Sequence, residues 1–188
     1  MSRQGQTIAL AAVCGLVATT ASTGTAGAQQ RIRVWSSAFS NGAAMPARYA
    51  ADDCGGINVS PPLHWSGAPA GTRGFAVTMF DPDARAGAGF WHWIVYDIPS
   101  TASGLSSSRN GAVLPARAVA ATNDAGTRAY RGPCPPPGRP HHYRMTVYAL
   151  RTSFVQASAD HGGPTIVRRI TPYLLARGSL VATYRRAR

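Results

Sequence analysis

Two stretches of the chain are apolar almost without a break: residues 73–80, through Phe75, Ala76, Val77, Met79 and Phe80, and residues 91–98. Runs of this length between turn-forming residues predict central strands covered on both faces, and their nearness in the chain predicts that they pair. A third strong strand is expected over residues 144–150, where Tyr143, Met145, Val147 and Ala149 alternate onto one face. Shorter strands are predicted over residues 31–36, with Ile32 and Val34 on one face, and over residues 63–65.

Between these runs the pattern fades. Residues 37–62 are rich in Asn, Gly, Asp and Pro and read as loop. Residues 100–126 show little periodicity, which predicts long surface loops with one short strand near 112–114. The segment Tyr130-Arg131-Gly132-Pro133-Cys134-Pro135-Pro136-Pro137-Gly138 is stiffened by its prolines and cannot be helical. Towards the C-terminus the period changes: Ile166, Val167 and Ile170, then Leu174 and Leu175, fall at helical spacing, and Thr171-Pro172 has the form of an N-cap followed by proline. Two short helices are expected there, followed by a last strand over residues 179–184. With no internal repeat and no second apolar cluster, residues 29–188 are expected to form one mostly β domain.

The chain has 188 residues, enough for a domain that buries roughly two thirds of the surface its unfolded chain exposes. Its first 28 residues are read separately, as an export leader: Arg3 supplies a thin positive start, residues 8–18 are apolar, and Ala26-Gly27-Ala28 fits a small-residue cleavage site. The apolar run is shorter than the about 20 residues that span a bilayer, and no later run approaches that length. A periplasmic or secreted location is therefore expected, with a lipid anchor through Cys14 as a weaker alternative because Ala11-Ala12-Val13 is a poor lipobox.

Export changes the reading of the two cysteines that follow the leader, Cys54 and Cys134, which are expected to pair in a disulfide-permitting compartment. Two separate buried thiols and a reactive Cys134 are the competing readings. The charge is one-sided, +12, with Arg for every basic residue and Asp for every acid. Such a surface attracts anions, including anionic lipid head groups. The arginines are scattered, however, and no basic arm or aromatic-interleaved basic motif marks a specific nucleic-acid partner.

The chemistry concentrates in Asp81-Pro82-Asp83 and Phe90-Trp91-His92, polar groups at neighbouring ends of the two central strands. A half-buried pocket is easily built there. A hydrolase-type enzyme using Asp, His and Tyr is the main alternative to a binding site, but the chain has neither a G-x-S-x-G elbow nor an H-E-x-x-H pair. No catalytic residue is assigned. His92, His141, His142 and the aspartates match no familiar metal-ligand spacing, and no cofactor is expected.

Taken together, Ser60-Pro61-Pro62-Leu63-x-Trp65, Asp81-Pro82-Asp83-Ala84, His92-Trp93-Ile94-Val95, Tyr130-x-Gly132-Pro133-x-Pro135-Pro136-x-Gly138, His141-x-Tyr143 and Ala182-Thr183-Tyr184 resemble, in order and spacing, the phosphatidylethanolamine-binding protein family. The likeness is to its bacterial members of the YbhB/YbcL type, described as Raf kinase inhibitor-like. The resemblance implies a large central β-sheet packed on a smaller one, short C-terminal helices, and a small anion pocket lined by Asp81, Asp83, His92, Gly132, Pro133, His141 and Tyr143. It also implies a phosphate-containing or other small anionic ligand, and it allows a kinase or protease as protein partner. The chain departs from the family at Arg85, where proline is usual, and at Pro172-Tyr173, where a Gly-His pair is usual.

Physical reasoning agrees with an anion pocket: backbone N–H groups near Gly132, the imidazoles of His92 and His141 and the Tyr143 hydroxyl are all donors. Asp81 and Asp83 fit if each accepts a bond from an imidazole or a loop N–H and so fixes which ring nitrogen faces the ligand. If an imidazolium holds the ligand, affinity falls as pH rises past about 6.5.

Overall fold

The computed structural model describes residues 31–186; the expected leader lies outside them. Nine regular elements follow in chain order: β1 (Arg33–Trp35), β2 (Leu63–Ser66), β3 (Gly74–Asp81), β4 (Phe90–Pro99), β5 (Gly104–Leu105), β6 (Val119–Ala120), β7 (His141–Leu150), α1 (Gly163–Ile170) and β8 (Leu174–Tyr184). They form two antiparallel sheets, one of three strands in the order β1-β2-β5 and one of five in the order β6-β4-β3-β7-β8.

The two unbroken apolar runs became β3 and β4, which pair from Gly74↔Pro99 to Asp81↔Phe90. With β7 on its other side, β3 is the middle strand of the large sheet, and it is apolar on both faces because a layer packs on each side of that sheet. On one face Val77, Met79, Trp93, Met145, Val147 and Leu180 pack against Leu63 and Trp65 of the small sheet. On the other, Ala76, Ile94, Tyr96 and Tyr148 meet Ile166 and Ile170 of α1. That helix has Pro164 in its first turn and ends where the Thr171 hydroxyl donates to the Val167 carbonyl.

The C-terminal expectation needs correction. Among the described residues there is one α-helix here, not two: residues 171–173 make a single 3-10 turn, and Leu174 already opens β8. The ten-residue edge of β7 offers a ladder from Leu150↔Leu174 to His141↔Tyr184, with one bulge between Ala149 and Leu150, and pairing with it outweighs a second short helix, which would close few hydrogen bonds. The strand expected over 112–114 is also absent. The outer edge of β4 is taken by Val119–Ala120 instead, while Val113 stands exposed and Pro115 follows Leu114.

Cys54 and Cys134 form a disulfide with Cα atoms 5.5 Å apart and 80 positions between them in sequence. The bridge fastens the 47–58 loop to the proline-rich segment. Gly132 lies so close to that loop that a Cβ on it would sit 2.3 Å from the Tyr49 carbonyl oxygen and 2.5 Å from the Ala50 carbonyl carbon. Only glycine permits this approach.

Candidate functional site

Antiparallel pairing brings the polar strand ends together. Asp81 closes β3 opposite Phe90, the first residue of β4, and His92 follows two places along. His141 and Tyr143 open β7, whose register sets Arg144 opposite Phe80 and therefore carries Tyr143 to the level of Asp81. The segment around Gly132, pinned by the disulfide, closes the side. These groups surround a cavity of about 470 Å³ at the end of the layer between the sheets, the volume of a small-molecule site.

Asp81 is the organising residue of the floor, only 2% exposed. One carboxylate oxygen accepts the backbone N–H groups of Asp83 (2.8 Å) and Ala84 (3.2 Å), an Asx turn that starts the 82–89 loop. The other accepts Nδ1–H of His141 at 2.8 Å. That bond directs the His141 proton to Nδ1, as the sequence reading required of an aspartate. Asp83 does the same for a different ring: its carboxylate accepts both the N–H and Nδ1–H of His142 at 2.8 Å, and those bonds hold it below the usual carboxylate range.

His92 is oriented by a carbonyl and not by a carboxylate. Its Nδ1 lies 2.8 Å from the Arg131 carbonyl oxygen, which can only accept, so the ring proton sits on Nδ1 and Nε2 carries a lone pair. Nε2 is 4.0 Å from the Asp81 carboxylate. Burial dominates the ring's proton affinity and pushes its pKa down to about 4, against the Arg131 carbonyl bond and the Asp81 charge, which both favour protonation. The expectation that the His92 imidazole donates to the ligand is therefore corrected: its N–H is spent on the Arg131 carbonyl, and the neutral ring presents an acceptor. Its edge meets Tyr143, with ring centroids 5.2 Å apart.

Tyr143 supplies the donor. Its hydroxyl is buried and has no hydrogen-bond partner among the described residues. Burial, next the charge of Asp81 and then the hydrogen-bonding approach of the hydroxyl to that carboxylate, which is the nearest acceptor though beyond a full hydrogen bond, raise the phenol pKa far above its ordinary value, so the group stays O–H. A second expected donor is unavailable: the Gly132 N–H donates to Asn58 Oδ1 at 2.7 Å. Of the sequence-predicted set, Asp81, Asp83, His92, Gly132, His141 and Tyr143 line the cavity. Pro133 does not; it is buried behind the wall, where its carbonyl accepts the Ala51 N–H at 3.1 Å.

The rim is cationic. Arg85, Arg131 and Arg139 all border the cavity. Arg131 is held by Asp53 (2.6 Å), and Arg85 by Asp124 (3.3 Å) with its guanidinium 4.8 Å above the Phe90 ring. Arg139 has no carboxylate partner among the described residues. Arg85 has φ of 51°, closed to proline, and Ala86, Gly87 and Gly89 are left-handed as well, so the loop takes a course that the usual family residue could not follow.

Sequence reasoning missed Asn58 and the arginines Arg131 and Arg139. Asn58 bonds Gly132, the Tyr130 carbonyl and Asn110, fixing the wall from 72 residues away; its place in a Gly-rich loop ahead of Ser60-Pro61-Pro62 is the only local signal. Among the described residues, the side chains that could hold a metal cluster are Asp53, Cys54 and Cys134. The two sulfurs are bonded to each other there, and Asp53 pairs with Arg131.

The family model described as phosphatidylethanolamine-binding protein matches residues 35–185. The chain belongs to the phosphatidylethanolamine-binding protein family. Among its relatives, the UPF0098 protein YbcL of Escherichia coli is 41% identical over 135 residues, covering 70% of this chain and 74% of YbcL. The putative lipoprotein LppC of Mycobacterium tuberculosis is 36% identical over 158 residues, 84% of this chain and 74% of LppC. The crystal structure of E. coli YbcL, described as a member of the mammalian PEBP family, superposes with a TM-score of 0.78 at 36% identity, over 82% of this chain and 98% of that one.

Proposed function

We propose that this chain is an exported binding protein whose cavity holds a small oxyanion, a phosphate, phospholipid head group or carboxylate, without chemistry of its own. The observation that carries the reading is the cavity rimmed by arginines, at whose floor the Tyr143 hydroxyl lies beside His92 and makes no full hydrogen bond among the described residues. An unsatisfied buried hydroxyl costs about 1–3 kcal/mol, a cost that a ligand oxygen accepting its proton removes. The arginines raise the local concentration of anions at the mouth, and the same mouth suits a phosphorylated segment of a partner protein.

Hydrolysis is the less supported reading. Among the described residues the cavity wall has no serine or threonine, and its one cysteine, Cys134, is bonded to Cys54. Export rests on the leader pattern of residues 1–28 and on the disulfide; N-terminal sequencing of the mature protein should begin at Gln29. No helix among the described residues is long and apolar enough to cross a membrane.

The test is a titration of isotope-labelled protein with inorganic phosphate at pH 6, followed by amide and side-chain NMR. Saturable shifts are expected for residues 81–92 and 131–143. Shifts spread evenly over the arginine-bearing surface, or none, would contradict the proposal.

A further inference from the structure

A second cavity lies on the opposite face of the large sheet and is built from different residues. On that face α1 covers only the half of the sheet that carries Ala76, Ile94, Tyr96 and Tyr148. Along the same strands the other half changes character: β3 continues with Thr78 and Phe80, β7 with Thr146 and Arg144, and β8 sets Arg177 and Ser179 beside them. A groove of about 340 Å³ opens over these side chains, with Trp91 of β4 at its edge. That volume is at the lower end of small-ligand sites.

Cross-strand register arranges the groove in rows. Trp91, Phe80 and Arg144 lie side by side at one end, Thr78, Thr146 and Ser179 in the middle, and Tyr148 beside Arg177 at the other. The half-buried Phe80 and Trp91 rings, 4.6 Å apart, make an apolar floor at the first end. The hydroxyls are paired, Thr146 with Ser179 at 2.9 Å and Thr78 with Tyr148 at 3.5 Å. One proton closes each pair, so each pair keeps a second O–H to give to a ligand. Arg144 and Arg177 are exposed, and among the described residues neither makes a salt bridge and no carboxylate lines the groove. Arg144 and Tyr148 are four positions apart on β7, about 13 Å. With Arg177 opposite Tyr148, the two cations stand at opposite ends of the hydroxyl row.

Independently of the anion pocket, we propose that this groove binds an acidic carbohydrate, a chain of two or more hexuronic acid units. A ring C–H face rests on Trp91 and Phe80, ring hydroxyls meet the two hydroxyl pairs, and carboxylates reach Arg144 and Arg177, whose forked donors match them. Other ligand classes use only part of the groove. An inorganic anion leaves the aromatic floor bare, an aromatic acid leaves the paired hydroxyls without partners, and a neutral sugar leaves both guanidinium groups unmatched. A single sugar ring is too short to engage the arginines at both ends.

The experiment is an NMR titration of the full mature protein with trigalacturonate, its fully methyl-esterified form, inorganic phosphate and benzoate. Trigalacturonate should shift residues 78–80, 144–148 and 177–179 saturably, and the Trp91 indole N–H with them. R144Q and R177Q should each weaken it about 5-fold, the scale of a solvated ion pair. The double variant should weaken it about 25-fold, since the two ends act separately, and methyl esterification, which removes the charge and keeps the sugar, should match that loss. Both arginines are exposed, so the variants should keep the wild-type spectrum elsewhere. R139Q, at the rim of the other cavity, should change nothing, and saturating phosphate should not displace the sugar. Equal binding of the methyl ester, binding unmoved in the double variant, displacement by phosphate, loss in R139Q or no saturable shift on this face would overturn the assignment. Benzoate binding as tightly as trigalacturonate would overturn the carbohydrate class. None of these outcomes bears on whether phosphate occupies the cavity between the sheets.

Discussion

Acid should destabilise this fold well before its carboxylates protonate, because His92 is buried as a neutral ring. Its pKa lies at about 4 in the folded protein against an ordinary 6.5. The unfolded chain therefore binds a proton that the folded one refuses, and stability rises with pH wherever this holds. The contribution is absent above pH 6.5, grows as pH falls, and levels off below about 4, where both states are protonated. Integrated from pH 7 to pH 5, the loss is about 2 kcal/mol, out of about 3 in full. Desolvation is the largest cause of the shift, and the side chain is only 5% exposed, so solvent screening takes little from this figure.

The assay is urea unfolding of the disulfide-intact protein at half-unit steps from pH 4.5 to 7.5, for wild type and H92Q side by side. The difference between the two curves removes what they share. That includes Asp97, whose pKa burial raises and which therefore acts in the opposite direction, and Asp83, whose lowered pKa acts only at more acidic pH. Wild-type stability should fall by about 2 kcal/mol more than that of H92Q between pH 7 and 5. Parallel curves would refute the neutral His92, and with it the acceptor role of Nε2.

Three other expectations follow from single contacts. Y143F should weaken phosphate binding roughly 10- to 100-fold, the loss of a hydrogen bond to a charged group, yet leave stability to urea unchanged or slightly higher, because the hydroxyl makes no full hydrogen bond among the described residues. G132A should cost about 1–3 kcal/mol or more, because its methyl meets backbone atoms of residues 49–51 that cannot swing aside; thermal unfolding measures it. Reduction of Cys54–Cys134 should remove on the order of 4–5 kcal/mol by the chain-entropy model and weaken phosphate binding, since Cys134 is part of the cavity wall; titration under reducing and oxidising conditions reads both effects.

What could be read in the sequence, and what could not, divides along physical lines. The strands β3, β4 and β7 were visible because buried apolar residues recur at a fixed local period. The first half of β8 was not, since Leu174 and Leu175 fall at helical spacing and only the free edge of β7 decides for strand. Strands β5 and β6 are two residues each, too short for any period to show. Asp81, His92, His141 and Tyr143 stood out as polar groups at the ends of apolar runs, and antiparallel pairing brings such ends together.

Their hydrogen-bonding roles were another matter. That His92 is an acceptor follows from the Arg131 carbonyl 39 positions away, and that Gly132 has no free N–H follows from Asn58, 74 positions away. No local pattern carries such pairings. The sequence could show that a polar pocket forms, but which atoms of it donate and which accept is settled by long-range contacts.

The central claim is that the cavity between Asp81, His92 and Tyr143 holds a phosphate-type ligand. It is tested most directly by a crystal structure of the mature protein grown or soaked with methyl phosphate near pH 5.5. The account predicts one phosphate with an oxygen within hydrogen-bond distance of the Tyr143 hydroxyl and another facing His92 Nε2. Phosphate bound only at surface arginines, with Tyr143 and His92 untouched, would contradict it.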